Sequence, residues 1–133
     1  MKGKKYDIEK LEASGKFDTS VSTRFYYSTQ EYFDAITLFS EHHNKGFSNY
    51  TPAFVVNSDD DREEFLKECF EVRAGLTTLG LTALLNELSI MEDAAIQKDM
   101  KEFSDGQIKY RATLEICLRT IKDATMRWRM TVS

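Results

Sequence analysis

The feature that most constrains the fold of this 133-residue chain is the regular spacing of apolar residues along two long segments. In each segment they recur at alternating intervals of four and three residues, which places them on one side of an α-helix. The first segment carries Phe65, Cys69, Val72, Leu76 and Leu79. The second carries Tyr110, Leu114, Cys117, Ile121, Ala124 and Trp128. Such stripes must pack against other apolar surfaces, so the sequence predicts helices around a shared core.

Local signals predict where the first helices begin and end. A long helix is expected to begin near Thr29 and to stop at Gly46, because glycine commonly ends a helix. Thr51 followed by Pro52 is typical of a helix start, and it opens a short apolar segment through Val56.

The later helices are marked in the same way. A serine and three aspartates at residues 58–61 suit the positive end of a helix dipole, and Gly80 is expected to end the helix that follows. Another helix is expected from Leu81 towards Ile96. The Ser-Asp-Gly sequence at 104–106 then precedes the last long helix.

These elements predict an all-α protein, an antiparallel four-helix bundle forming a single domain over residues 1–133. Strand-like alternation is confined to a weak stretch at 21–27. Residues 1–24 are expected to be an N-terminal extension that packs on the bundle through Tyr6, Ile8, Leu11 or Phe17. The expected core consists of Phe65, Cys69, Val72, Leu76, Leu88, Leu114, Ile121 and Trp128.

Composition narrows the classes of function. Hydrophobic residues make up 41% of the chain and charged residues 30%, which is typical of a soluble globular domain. The net charge of −4 removes the simplest electrostatic argument for a nucleic-acid partner. The most apolar stretch, 74–85, is too short to insert across a membrane, and no secretory signal is visible. Cys69 and Cys117 lie far apart, in no CxxC motif and in no histidine-rich stretch, so the sequence predicts reduced thiols, a cytoplasmic location and no metal site. No cofactor is expected, and the glycine-rich phosphate-binding motifs GxGxxG and GxxxxGK[ST] are absent.

The two histidines need a separate interpretation. His42 and His43, followed by Lys45 and Gly46, superficially match an H-x-x-K-G pattern of phospho-accepting histidines. Their position at a predicted helix end favours a structural role, with a partly protonated imidazole stabilised by the helix dipole. The three aspartates at 59–61 are likewise interpreted as capping residues rather than a metal site.

Residues 65–99 carry an ordered set of motifs. Val72, Arg73 and Ala74 are followed by Leu79-Gly80, then by Leu84 and Leu88, and then by Met91-Glu92-Asp93-Ala94. This order resembles the histidine phosphotransfer (HPt) family, in which the histidine precedes apolar, lysine and small positions, an apolar-glycine pair, and an L-E-x-A sequence. The resemblance covers about residues 25 to 125 and implies a four-helix bundle of HPt type.

The resemblance departs from the family at the residue that carries the chemistry. Phe70 occupies the position of the phospho-accepting histidine, and a shift of one residue would place Glu71 there instead. A phenyl ring has no lone pair with which to accept a phosphoryl group. Arg73 keeps the positive charge that the family places beside the phosphate. The resemblance therefore implies an HPt-like protein without its nucleophile.

The helical wheel places Phe70 about 140° from the centre of the apolar stripe, so it is expected to face outwards. Leu66, Arg73, Ala74 and Thr77 share this side, which we interpret as a partner-binding surface. The implied partner is the receiver domain of a response regulator or a hybrid histidine kinase. Three alternatives stay open: the N-terminal segment covers Phe70, His42 or His43 accepts phosphate, or the bundle is purely structural or oligomeric.

Overall fold

The computed structural model describes residues 13, 15–19 and 28–132, and every regular element from residue 28 onwards is an α-helix. We number these helices α1 (Thr29–His42), α2 (Pro52–Asn57), α3 (Asp59–Leu79), α4 (Thr82–Ile96) and α5 (Met100–Val132). They pack together around one apolar core. The prediction of an all-α fold is therefore confirmed for the described residues.

Helix α1 begins where the sequence predicts but ends earlier. The Ser28 hydroxyl accepts a hydrogen bond from the backbone N–H of Glu31 (3.1 Å), which caps the first turn. The helix ends at His42 rather than at Gly46. The backbone N–H of Gly46 returns to the carbonyl of His43 (3.1 Å), so the glycine lies in a turn beyond the helix, with φ of +58°.

Helices α2 and α3 follow the local signals closely. Pro52 occupies the first turn of α2, and the Ser58 hydroxyl accepts a hydrogen bond from the backbone N–H of Asp61 (3.3 Å). Gly80 ends α3 in the left-handed conformation (φ 80°), which glycine adopts without a steric penalty. The predicted start of α2 at Thr51-Pro52, the cap at Ser58 and the end of α3 at Gly80 are confirmed, although the Thr51 side chain makes no capping hydrogen bond.

The start of the last helix corrects the sequence prediction. Helix α5 begins at Met100, where the Asp99 carboxylate accepts a hydrogen bond from the backbone N–H of Glu102 (3.0 Å). Gly106 therefore lies inside the helix. A Cβ atom at this position would be 3.0 Å from Cγ of Met91, so the glycine permits close approach of α4 and α5. The close approach of the two helices, rather than the start of a helix, explains the glycine at this position.

The core contains most of the residues that the apolar spacing predicts. Seven of the eight expected core side chains are buried, and the exception is Val72, which is only partly buried. Trp128 stacks on Phe33 with 5.6 Å between ring centroids, and its indole N–H donates to Oε1 of Gln30 (2.7 Å). Because Gln30 lies at the start of α1 and Trp128 near the end of α5, these two helices run antiparallel.

Part of the N-terminal region contacts the turn between α3 and α4. Phe17 is buried in the core, and the backbone N–H of Asp18 donates to the carbonyl of Gly80 (2.7 Å). The Thr82 hydroxyl donates to the carbonyl of Lys16 (3.5 Å). The predicted contributions of Tyr6, Ile8 and Leu11, and the strand-like stretch at 21–27, lie outside the described residues.

None of the helices formed by the described residues combines the length and the apolar character needed to cross a bilayer.

Both cysteines are buried and unpaired, Cys69 in α3 and Cys117 in α5. Burial raises the pKa of both thiols, that of Cys117 to about 11, so little reactive thiolate forms near neutral pH. We expect both thiols to react with an aromatic disulfide reagent only after urea unfolds the protein. The double variant Cys69→Ala/Cys117→Ala should lose about 1–2 kcal/mol of stability, because each small cavity costs little, and should keep its partner binding. Rapid labelling of the folded protein, or loss of binding in a folded double variant, would contradict this expectation.

Candidate functional site

Phe70 lies in the middle of α3 with 77% of its surface exposed. Such exposure is unusual for a phenylalanine, which loses about 1.5–3 kcal/mol of burial energy when its side chain stays in water. Among the apolar residues that could have covered it from the N-terminal segment, the structure describes Phe17, which is buried near the turn at Gly80, beyond the C-terminal end of α3. Ten residues of helix separate Gly80 from Phe70, a distance of about 15 Å.

The other four residues predicted for this surface lie along the same side of α3. Ala74 and Thr77 are exposed, whereas Leu66 is half-buried and packs against the core. The Thr77 hydroxyl donates to the backbone carbonyl of Arg73 (2.8 Å), which holds that side chain close to its own helix. We refer to Leu66, Phe70, Arg73, Ala74 and Thr77 together as the α3 face.

Arg73 differs from the free cation that the sequence suggests. Its guanidinium turns towards α4, where Nη1 donates to Oε2 of Glu92 (3.1 Å) and Nη2 donates to Oε1 of the same carboxylate. Nη2 also donates to the Ser89 hydroxyl (3.3 Å). The hydrogen bonds to Glu92 raise the pKa of Arg73 further above its usual value. The positive charge at the edge of the α3 face is therefore already paired within the molecule.

Glu92 and Ser89 are the two residues of this site that sequence reasoning missed. Glu92 belongs to the Met-Glu-Asp-Ala sequence that carries part of the HPt resemblance, but nothing in its local pattern indicates a bond to Arg73. The two residues are 19 positions apart and meet only because α3 and α4 pack together as neighbours. Helical spacing indicates the side of its own helix on which each residue lies. It does not indicate that these sides of α3 and α4 face each other.

The two histidines have different environments. His42 is exposed at the last position of α1. His43 is buried, with Nε2 at 2.7 Å from Oη of Tyr110 and its ring surrounded by Phe39 and Phe47. Desolvation lowers the pKa of His43 to about 4, so its imidazole is neutral at pH 7. The expectation of a partly protonated imidazole at the helix end is therefore wrong for His43, because burial outweighs the helix dipole.

An open groove runs along the other side of α3, between this helix and the end of α1. Glu68 and Glu71 lie on its α3 wall, and the Tyr50 hydroxyl donates to Oε1 of Glu68 (3.3 Å). Partial burial raises the pKa of Glu68. The groove is lined by Phe39, His42, His43, Lys45, Gly46, Asn49, Glu68, Glu71, Val72 and Gly75. It brings both histidines near α3, but on the side away from Phe70.

The acidic start of α3 is consistent with the capping interpretation. Asp59 forms an ion pair with Arg62, whose Nη1 also donates to the carbonyl of Val56 (3.0 Å). Across residues 13, 15–19 and 28–132, no three histidine, cysteine or acidic side chains are arranged to hold a metal ion.

The α3 face is thus centred on an exposed aromatic ring with Leu66 and Ala74 to either side, and the Arg73–Glu92 ion pair lies at its edge. Its exposed ring suits contact with another macromolecule, and the exposed Lys67 and Glu71 flank it on α3. Comparisons of the chain with protein families, with characterised proteins and with solved structures find no match.

Proposed function

We propose that this chain is a non-catalytic HPt-like protein of two-component signalling, which binds a receiver domain or a hybrid histidine kinase without accepting phosphate. In this proposal α1, α3, α4 and α5 correspond to the four-helix bundle of the HPt family, and α2 is an additional short helix. The protein would compete with a true phosphotransfer protein for its partner. A partner of this kind places the chain in the cytoplasm.

The observation that carries the proposal is the exposure of Phe70 at the position where the HPt resemblance expects the phospho-accepting histidine. A phospho-acceptor must project into solvent from the middle of its helix so that a partner can reach it. Phe70 projects into solvent from the middle of α3 in the same way, but its ring cannot accept a phosphoryl group. A side chain that retains the geometry of docking but cannot be phosphorylated is what a non-catalytic binding protein requires.

The apolar character of the α3 face supplies the energy for binding. Exposed aromatic side chains at the centre of an interface commonly dominate its affinity, because the ring is fully desolvated in the complex. Ala74 and Leu66 lie one turn to either side of Phe70 and extend the apolar surface along the helix. The ring of Phe70 is therefore expected to be the anchor.

Phe70→Ala should weaken binding to a receiver domain by about 1–3 kcal/mol, a factor of about 5 to 150, without lowering stability. Isothermal titration calorimetry against a panel of receiver domains measures this change. Phe54→Ala is the matched control, because Phe54 is also a highly exposed phenylalanine (61%) but lies on α2, outside the α3 face. Equal binding by wild type and Phe70→Ala, with both proteins folded, would contradict the proposal.

Transfer of labelled phosphate from a phosphorylated receiver separates the proposal from its runner-up. We expect none to reach the wild-type chain, whereas Phe70→His restores an imidazole on the α3 face and should permit slow transfer. Ala74, where the family has glycine, crowds the approach. Transfer to the wild type that survives substitution of Phe70 but is lost when His42 or His43 is replaced would establish the phosphotransfer alternative. A stable oligomer in light scattering, with no receiver bound, would instead favour a structural role.

A further inference from the structure

Two cations lie three residues from Phe70 on α3, the exposed Lys67 and Arg73, and the guanidinium of Arg73 is held by two partners on α4. Both terminal nitrogens donate to the Glu92 carboxylate, and one of them also reaches the Ser89 hydroxyl. An arginine that engages a carboxylate in this two-pronged way forms a directional, charge-assisted interaction. Glu92 therefore neutralises the charge of Arg73, which would otherwise be available to a docking partner with an acidic pocket.

We propose that Glu92 is an internal competitor that occupies Arg73 and thereby limits the contribution of this cation to binding an acidic partner. This inference rests on the proposed function, since it concerns the same docking surface. It assigns to Glu92 a role in partner specificity that lies outside the α3 face itself.

The exposures of the two side chains leave Arg73 accessible to a competing anion but make the displacement of Glu92 costly. The Arg73 side chain is 37% exposed, so an anionic group of a partner can reach it. The Glu92 side chain is only 17% exposed, so displacement would leave a half-buried carboxylate without its cation. That penalty is greater than for a surface ion pair, because a desolvated charge loses both its water and its partner. A partner's carboxylate must therefore overcome Glu92 before it gains anything from Arg73.

Neutralisation of Glu92 should release this restraint. We expect Glu92→Gln to bind a receiver domain with an acidic pocket about three to ten times more tightly than the wild type, the range expected for one added charge contact of moderate exposure. The affinity of the variant should also fall more steeply with salt, since the released Arg73 adds a charge contact to binding. Calorimetry at two salt concentrations measures both effects.

Two further variants isolate the mechanism. Asp93→Asn removes the same formal charge from the adjacent, exposed position and controls for the change in net charge. It should leave the affinity within about twofold of the wild type, because surface charges contribute little. The double variant Arg73→Gln/Glu92→Gln should lose the gain, because the released cation is gone. If Glu92→Gln destabilises the fold, Glu92→Ala serves as the second test, since alanine is favourable inside a helix.

Inorganic phosphate provides a probe that does not depend on the receiver. In a ¹⁵N NMR titration, phosphate should shift the Arg73 guanidinium signals of Glu92→Gln at lower concentration than those of the wild type. Stronger phosphate binding by the variant, with no receiver bound by either protein, would support competition by Glu92 and reject the proposed function. Receiver binding that is equal in wild type and variant would reject the competition and leave the proposed function standing. If neither protein binds a receiver and both bind phosphate equally, both proposals are wrong.

Discussion

Leu76→Asp is expected to abolish the folded state at pH 7. Leu76 is fully buried in the core on the inner side of α3. An aspartate there would place an unpaired carboxylate among apolar side chains, at a cost of several kcal/mol, in addition to the lost burial of the leucine. The total is comparable to the free energy of unfolding of a typical domain, about 5–15 kcal/mol. Circular dichroism and susceptibility to chymotrypsin would measure the loss of structure.

Leu38→Asp is the matched control, because Leu38 is a leucine of α1 with 55% of its surface exposed. The same substitution there should cost less than about 1 kcal/mol. Leu76→Ala should leave a folded protein that is destabilised by about 2–5 kcal/mol, which a urea titration can quantify. A Leu76→Asp variant that unfolds cooperatively near the wild-type urea midpoint would contradict the assignment of the core.

Val72 is the one expected core residue whose burial the apolar spacing overestimates. The sequence places it in the same stripe as Leu76, which predicts a fully buried side chain and a protein that does not fold when an aspartate replaces it. The structure leaves Val72 partly buried beside the open groove, where a carboxylate can reach water. A smaller loss, about 1–3 kcal/mol, is therefore expected for Val72→Asp. An α-helix drifts relative to a strict seven-residue repeat, and spacing alone does not indicate which neighbour covers each position.

The features that sequence could predict are those encoded by neighbouring residues. The start of α1, the cap at Ser58, the proline at the start of α2 and the left-handed Gly80 each depend on a few adjacent positions. Phe70 belongs to the same group, because its outward position follows from the helical period within α3.

The features that sequence missed depend on contacts between helices. Gly106 resembles a residue that precedes a helix until Met91 of α4 is known to lie against it. Arg73 resembles a free cation until α4 brings Glu92 within hydrogen-bonding distance. His43 resembles a charged helix terminus until Tyr110 of α5 is found beside its ring. In each case the residue type is visible in the sequence, but its environment is supplied by another helix.

The burial of His43 predicts that the protein loses stability in mild acid. The ring contacts Phe39, Phe47 and Tyr110, and the charged residues of the adjoining groove are Lys45, Glu68 and Glu71. Burial also raises the pKa of Tyr110, so its hydroxyl stays protonated beside the imidazole. No carboxylate is hydrogen-bonded to His43 among the described residues, so a proton on the ring would remain uncompensated inside an aromatic cluster.

The direction of the effect follows from the two pKa values of His43. The pKa is about 4 in the folded protein and 6.5 when the residue is exposed, so the unfolded state binds more protons between these values. Stability is therefore complete above pH 6.5 and declines as the pH falls towards 4. Between pH 7 and pH 5 this residue alone should remove about 2 kcal/mol from the free energy of unfolding, and about 3 kcal/mol when the decline is complete.

Urea titrations at pH 7 and pH 5 test this expectation when the wild type is compared with two variants. His43→Gln keeps a polar side chain near Tyr110 but cannot be protonated, so it should be less stable than the wild type at pH 7 and should lack most of the decline between the two pH values. His42→Gln changes the exposed neighbour and leaves the buried ring in place, so it should retain the full decline. If the decline persists in His43→Gln and disappears in His42→Gln, the acid sensitivity arises from His42 and the expectation is wrong.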